Sequence, residues 1–295
     1  MTRFGALIPL LLAGLLAACT KGGDAPPPTA RPIPPRAVDF PADMVLVEEG
    51  PAVLGSNRVD TEGRAREFGS RRPWYLDEHP LRTIGLPAFA IDRTEVTEQD
   101  YVLFVAALDY PPPPHWEGDP PQPVDRHLPV TNVTWMDAQN FCHWRGARLP
   151  TEAEWEKAAR GPEGREYPYG DTFDREAANV GQLGEIAPAG HFETSVSPYG
   201  ALDMAGNVWE WTASWYLPYP GNTASSELYG RRHKVLRGGS GNGSGHYQLE
   251  QLTTRGAYRF FLDPRMRQAD VGFRCVQRLG PEGAVVADAD DMQHG

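Results

Sequence analysis

The run Asp203-Met204-Ala205-Gly206-Asn207-Val208-Trp209-Glu210-Trp211-Thr212 sets two carboxylates on either side of a glycine, with two tryptophans flanking the second. It is too irregular for an amphipathic helix and too aromatic for an ordinary loop. If the backbone curls at Gly206, Asp203 and Glu210 approach one another, and the intervening carbonyls turn inward as hard oxygen donors of the kind calcium takes. The same residues also describe a tight turn around a buried tryptophan pair, which needs no ion. Other chemistry has weaker support. The eight histidines lie far apart, with no His-x-His and no helical pair, so a zinc or iron centre would need distant segments. Ser240 would need a base to act as nucleophile, and none stands beside it in sequence. Gly238-Gly239 lacks the context of a nucleotide loop.

The elements that must hold these residues are short. Thr97 followed by Asp100 reads as a helix cap, with Val102, Phe104, Val105 and Leu108 as the apolar stripe before a Tyr110-Pro111 stop. A second helix is expected over Trp135 to Trp144. A third, shorter one is expected from the Thr151 cap, where Glu154 completes a capping box. With 31 Gly, 29 Pro and 8 Trp, the remainder should be loop-rich, with brief β-prone runs between turns.

The N-terminus carries Arg3, an apolar stretch from Phe4 to Leu16 too short to span a bilayer, and Leu16-Ala17-Ala18-Cys19. This resembles a bacterial lipoprotein signal peptide over residues 1–18, with Cys19 as the lipidated residue and the membrane as a partner through that anchor. Thr20 after the cysteine points to the outer membrane, so the expected location is extracytoplasmic, at the outer membrane or periplasm. Residues 19–41 are rich in Pro, Gly and Ala and read as an extended tether. Residues 42–280 form one domain, and 281–295 read as a disordered acidic tail. A formal charge of −11 with no cationic stripe argues against a nucleic-acid partner.

Seven blocks in collinear order carry a wider resemblance. They include Phe89-Ala90-Ile91-Asp92-Arg93-Thr94-Glu95-Val96-Thr97, Pro129 to Trp135, Cys142 to Gly161 around Arg148-Leu149-Pro150-Thr151-Glu152-Ala153-Glu154-Trp155, and Tyr167-Pro168-Tyr169-Gly170-Asp171. Ala178-Asn179-Val180, Val235-Leu236-Arg237-Gly238-Gly239-Ser240 and Gly272-Phe273-Arg274-Cys275 follow, and Met44-Val45-Leu46-Val47 and Val53-Leu54-Gly55-Ser56 resemble the opening strands. Together with the Asp203 to Thr212 run, they resemble the formylglycine-generating enzyme, or sulfatase-modifying factor, family.

The resemblance implies an irregular, loop-rich α+β fold related to C-type lectin folds, in a single domain. It implies a calcium site from Asp203, the Gly206 and Val208 carbonyls and Glu210. A second would use Asn179, the Val180 carbonyl and Glu95, although the acidic loop completing it is cut short between Gly181 and Pro188. It pairs Cys142 with Cys275 as a structural disulfide. A catalytic Cys142 is disfavoured because His143, as its helical neighbour, faces another direction. Family members hold copper(I) on two thiolates beyond Gly-Gly-Ser, but here Gly243 and either Gln248 or Gln251 stand at those positions. Copper, and copper-dependent oxidation of a sulfatase cysteine, are therefore not expected.

Two functions remain. One is a lipid-anchored binding or scaffold module of the cell envelope, whose groove, lined by Ser240 to Tyr247 with Trp209 and Trp215 nearby, takes a peptide, glycan or envelope protein. The other is a periplasmic oxidase or modifying enzyme with different chemistry, for which Ser240 and His246 are the groove candidates.

Overall fold

A computed structural model of the chain describes residues 43–279, apart from 71, 121 and 243–245. The signal peptide at 1–18, Cys19 and the tether at 19–41, the tail at 281–295, and Gly243 lie outside the described residues. Among the described residues five helices form: α1 (Arg64–Glu67), α2 (Glu98–Leu108), α3 (Trp135–Trp144), α4 (Glu152–Arg160) and α5 (Tyr247–Thr253). The middle three share one cause. In each, a threonine hydroxyl accepts the backbone N–H of an acid three residues on, and that acid accepts the threonine N–H in return: Thr97 with Asp100, Thr134 with Asp137, Thr151 with Glu154. Each such cap contributes about 1 kcal/mol.

Helix α2 buries Tyr101 and Phe104 while Val102, Val105 and Leu108 are only partly covered, so the stripe is centred one residue from where the apolar pattern alone puts it. Tyr101 stacks on Phe141 of α3 at 5.5 Å, and Phe273 closes the cluster edge-on. Cys142 and Cys275 form a disulfide across a sequence separation of 133, tying α3 to the last strand.

Strands β1 (Met44–Val47), β4 (Phe89–Asp92) and β9 (Val276–Arg278) make an antiparallel sheet in the order β1-β4-β9, and β2 (Gly50–Leu54) pairs with β3 (Arg82–Leu86). The second opening strand ends at Leu54 rather than running to Ser56, because Gly55 turns at φ 72°. The third sheet has the order β7-β6-β5-β8, from β5 (Trp209–Trp215), β6 (Lys234–Arg237), β7 (Phe260–Leu262) and β8 (Val271–Gly272). Helix α4 lies between the sheets and is almost wholly buried, charged residues included. Its Glu152 and Glu156 accept from Arg237 at 2.7 and 2.9 Å, Arg259 reaches Glu152, and Arg160 reaches Glu156.

Candidate functional site

Two features stand out: a buried carboxylate cluster beneath the Asp203–Glu210 turn, and a groove between α1 and α5. The turn curls where the sequence places its glycine. Asp203, Gly206 and Asn207 all have positive φ (56°, 85° and 60°), and a Cβ at Gly206 would come within 2.1 Å of the Asn179 carbonyl oxygen. That same oxygen accepts the Asn207 N–H at 2.7 Å, so the turn is seated on Asn179 and only glycine fits at 206.

Glu210, fully buried, accepts from Arg274 Nε and Nη2 at 2.7 Å each and from Trp155 Nε1 at 2.8 Å. Arg274 also donates to the carbonyls of Asp92 and Leu202. Asp203 accepts the Gly190 N–H at 2.5 Å. Burial pushes its carboxyl up to about 6, against the pull of the Gly190 bond and of Arg274. Glu95 is pushed well above its usual range, first by burial and then by the charge of Asp203. Its Oε1 accepts from Asn207 Nδ2 at 3.0 Å, its buried Oε2 receives no N–H or hydroxyl donor among the described residues, and the carboxyl shares a hydrogen bond with Asp203. Asp203, Glu95 and Glu210 are thus brought together around one guanidinium.

In the second expected ligand set, Asn207 stands between Asn179 and Glu95. The Asn207 side chain bridges Asn179 and Glu95, its Oδ1 accepting from Asn179 Nδ2 at 3.3 Å. Val180 donates its N–H to Gln182 Oε1. Glu95 thus lies beside Asp203 and is linked to Asn179 through the Asn207 amide. Among the described residues no three His, Cys, Asp or Glu side chains form a ligand set, so a cation held by Asp203 and Glu95 would need backbone carbonyls such as those of Gly206 and Val208.

The groove is a cavity of about 400 Å³ lined by Asp60, Trp74, Tyr75, Tyr167, Tyr247, Gln248, Gln251 and Arg255, among others. Asp60 accepts the N–H groups of Arg64 and Ala65 at 2.8 and 3.0 Å. Though what burial it has works the other way, these bonds and others from Trp74 and Gly63 hold its carboxyl below the usual value. Tyr75 takes φ 73°, a left-handed conformation that a bulky residue adopts only when its surroundings impose it. The surroundings are Arg255, buried under the Tyr75 ring at 4.8 Å and paired to Glu78 at 2.7 and 3.0 Å. On the other wall Tyr167 donates to the Gln251 carbonyl at 3.0 Å, and Phe173 meets the half-exposed Tyr247 edge-on.

Of the expected groove, Tyr247 lines this cavity, while Ser240 and Trp215 are not among its described lining residues. Ser240 donates to Asp270 at 2.9 Å and accepts the Asn242 N–H, anchoring a turn; its carboxylate neighbour is one the sequence did not reveal. Trp215 lines a different cleft with Leu217, Pro218 and Tyr219, and Lys234 is held between its ring and that of Trp135. Trp209 is buried against Phe260. His246 caps the start of α5 and meets Phe68 edge-on, which in turn stacks on Trp74. Sequence reasoning missed Asp60, Trp74 and Tyr75 entirely; the one local signal was an aromatic pair following Pro73 in a polar stretch.

The model of the sulfatase-modifying factor enzyme 1-like domain matches residues 29–279. The chain belongs to the sulfatase-modifying factor enzyme 1-like family. A mouse relative named inactive C-alpha-formylglycine-generating enzyme 2 is 32% identical over 69% of the chain and 79% of the relative. Hercynine oxygenase of Mycolicibacterium thermoresistibile is 31% identical over 82% of the chain, which spans only 60% of that relative. The solved structure of PvdO from Pseudomonas aeruginosa shares the fold, with a TM-score of 0.61 and 21% identity over 80% of this chain and 94% of that one. Gln248 and Gln251, the two alternatives for the expected second thiolate position, both line the groove. The cysteines of the described residues, Cys142 and Cys275, are bonded to each other.

Proposed function

We propose that this protein is a lipid-anchored, extracytoplasmic binding module in which the groove between α1 and α5 receives a peptide, glycan or envelope protein. The observation that carries the reading is the lining of that groove. Trp74, Tyr75, Tyr167 and Tyr247 supply apolar faces with polar edges, and Gln248 and Gln251 supply paired donors and acceptors without a redox ligand. Formylglycine generation through a copper–thiolate pair has no thiolate available there. The mouse relative named as inactive supports the view that this fold persists where the oxidation does not. Asp203 and Glu95, with the Gly206 and Val208 carbonyls, would hold calcium, a hard cation that compensates buried carboxylates.

Incubation with a sulfatase-motif peptide, copper and oxygen tests the reading. No mass loss from the peptide cysteine is expected, and copper-dependent turnover would overturn it. The hercynine oxygenase relatives favour a second reading, a periplasmic oxidase with other chemistry. Metal analysis separates the two: stoichiometric copper or iron supports the oxidase, calcium alone the binding module. The anchor is tested by Cys19→Ser, which should release the protein from the membrane fraction and abolish palmitate labelling.

A further inference from the structure

We infer that one end of the β6–β7 hairpin is a surface that docks on anionic phospholipid headgroups. The inference is independent of what the groove binds. Lys234 of β6 pairs with Leu262 of β7, so the residues just before β6 lie beside those just after β7. Arg231, Arg232 and His233 thereby meet Asp263, Pro264 and Arg265 around a surface hollow of about 380 Å³. In a chain of net charge −11, this is a local excess of cations.

Little of that charge is neutralised internally. Asp263 is the single carboxylate lining the hollow, and Arg265 alone occupies it, at 3.0 and 2.7 Å. Among the described residues neither Arg231 nor Arg232 pairs with an acid; Arg232 donates to the Glu227 carbonyl at 2.8 Å. The Arg265 side chain is 87% exposed, and Arg267, beyond it, is 38% exposed while paired with Asp137.

The second observation decides between a lipid surface and a soluble phosphate. Met266, between Arg265 and Arg267, is 46% exposed, and Met136 is 46% exposed at the start of α3. The segments that carry them lie side by side, the Trp135 N–H donating to the Pro264 carbonyl at 3.1 Å. Unbranched apolar tips set among outward-facing guanidiniums match the boundary between headgroup phosphates and acyl chains. A soluble phosphate would leave the methionines without a role.

The test uses the full chain with vesicles of phosphatidylcholine alone and of phosphatidylcholine with phosphatidylglycerol. The N-terminal apolar stretch contributes to both, so the excess on the anionic vesicles reports the patch. Replacing the three exposed arginines together (Arg231→Gln, Arg232→Gln, Arg265→Gln) should cut that excess by about 100-fold, and raised salt should erode it in the parent. An unchanged melting temperature would show that the variant is folded. Met266→Ser should weaken binding to the anionic vesicles while leaving its salt dependence in place. Equal binding to both vesicle types by the parent, or an excess that survives the triple substitution, overturns the proposal. So does an excess that inorganic phosphate abolishes and Met266→Ser does not touch, which would mark a site for free phosphate.

Discussion

Two clusters of buried charge, one on α4 and one beneath the Asp203–Glu210 turn, reach opposite states. Around α4, Glu152 and Glu156 are met by Arg160, Arg237 and Arg259, with the Tyr219 hydroxyl between them. Burial pushes Glu152 up, but Arg259 and Arg237 outweigh it and hold the carboxyl at about 2. Under the Asp203–Glu210 turn, three carboxyls share Arg274, whose guanidinium is committed to Glu210. Asp203 is left at about 6, and Glu95 is likewise pushed well above its usual range. The desolvation penalty acts on both clusters, so the supply of cations decides the outcome. The first cluster is complete within the chain. The second needs protons or an added cation.

That contrast breaks most visibly at Arg237. Arg237→Met strips Glu152 and Glu156 of a shared, fully buried partner and should cost roughly 3–5 kcal/mol in denaturant unfolding. A loss below about 1 kcal/mol would mean that Arg160 and Arg259 suffice and that the α4 cluster is not cooperative. The opposite sign is expected at the other cluster. Without calcium at pH 7, Asp203→Asn should stabilise the protein by about 2–3 kcal/mol, because it removes a charge that burial penalises. The same variant should lose the calcium-dependent rise in melting temperature expected of the parent. Equal melting points for the parent in calcium and in chelator would show that Asp203 and Glu95 hold no ion.

The pH dependence sharpens the same point. A carboxyl raised from 3.8 to about 6 contributes stability that is fully present below 3.8 and is lost as pH rises through about 6. The difference between parent and Asp203→Asn, followed in chelator from pH 3 to 8, should therefore move against the parent across that window. Calcium should flatten it. The smallest effect is expected in the groove, where Gln248→Ala should shift stability by no more than about 0.5 kcal/mol while weakening any ligand the groove takes. A larger loss would make the residue part of the scaffold instead.

Much of the fold was legible because its signals are local. The capping boxes at Thr97 and Thr151 need only a threonine and an acid three positions on, and the Cys142–Cys275 bridge follows the family pattern. Helix α5 was not legible. His246 supplies no side-chain cap, and the helix is held by distant partners, the Tyr167 hydroxyl on the Gln251 carbonyl and Arg175 on Glu250. The left-handed Tyr75 depends on Arg255, which is fixed by Glu78 across a sequence separation of 177. At the carboxylate cluster, the Asp203 to Glu210 curl was readable from its glycine. The closeness of Glu95 to Asp203 was not, since nothing local in the sequence shows Asn207 bridging Glu95 and Asn179.

The order β1-β4-β9 has a consequence for how the domain travels between proteins. The first and last strands flank the same central strand, with Met44 opposite Asp92 and Arg278 opposite Phe89. Two strand spacings across and three residues along put the entry and exit of the fold within roughly 15 Å of each other. A host chain can leave and resume at nearly one point, so such a unit is inserted into a loop or appended to an end without threading its own core. The hercynine oxygenase relative, of which this chain spans 60%, is a longer chain that carries such a unit.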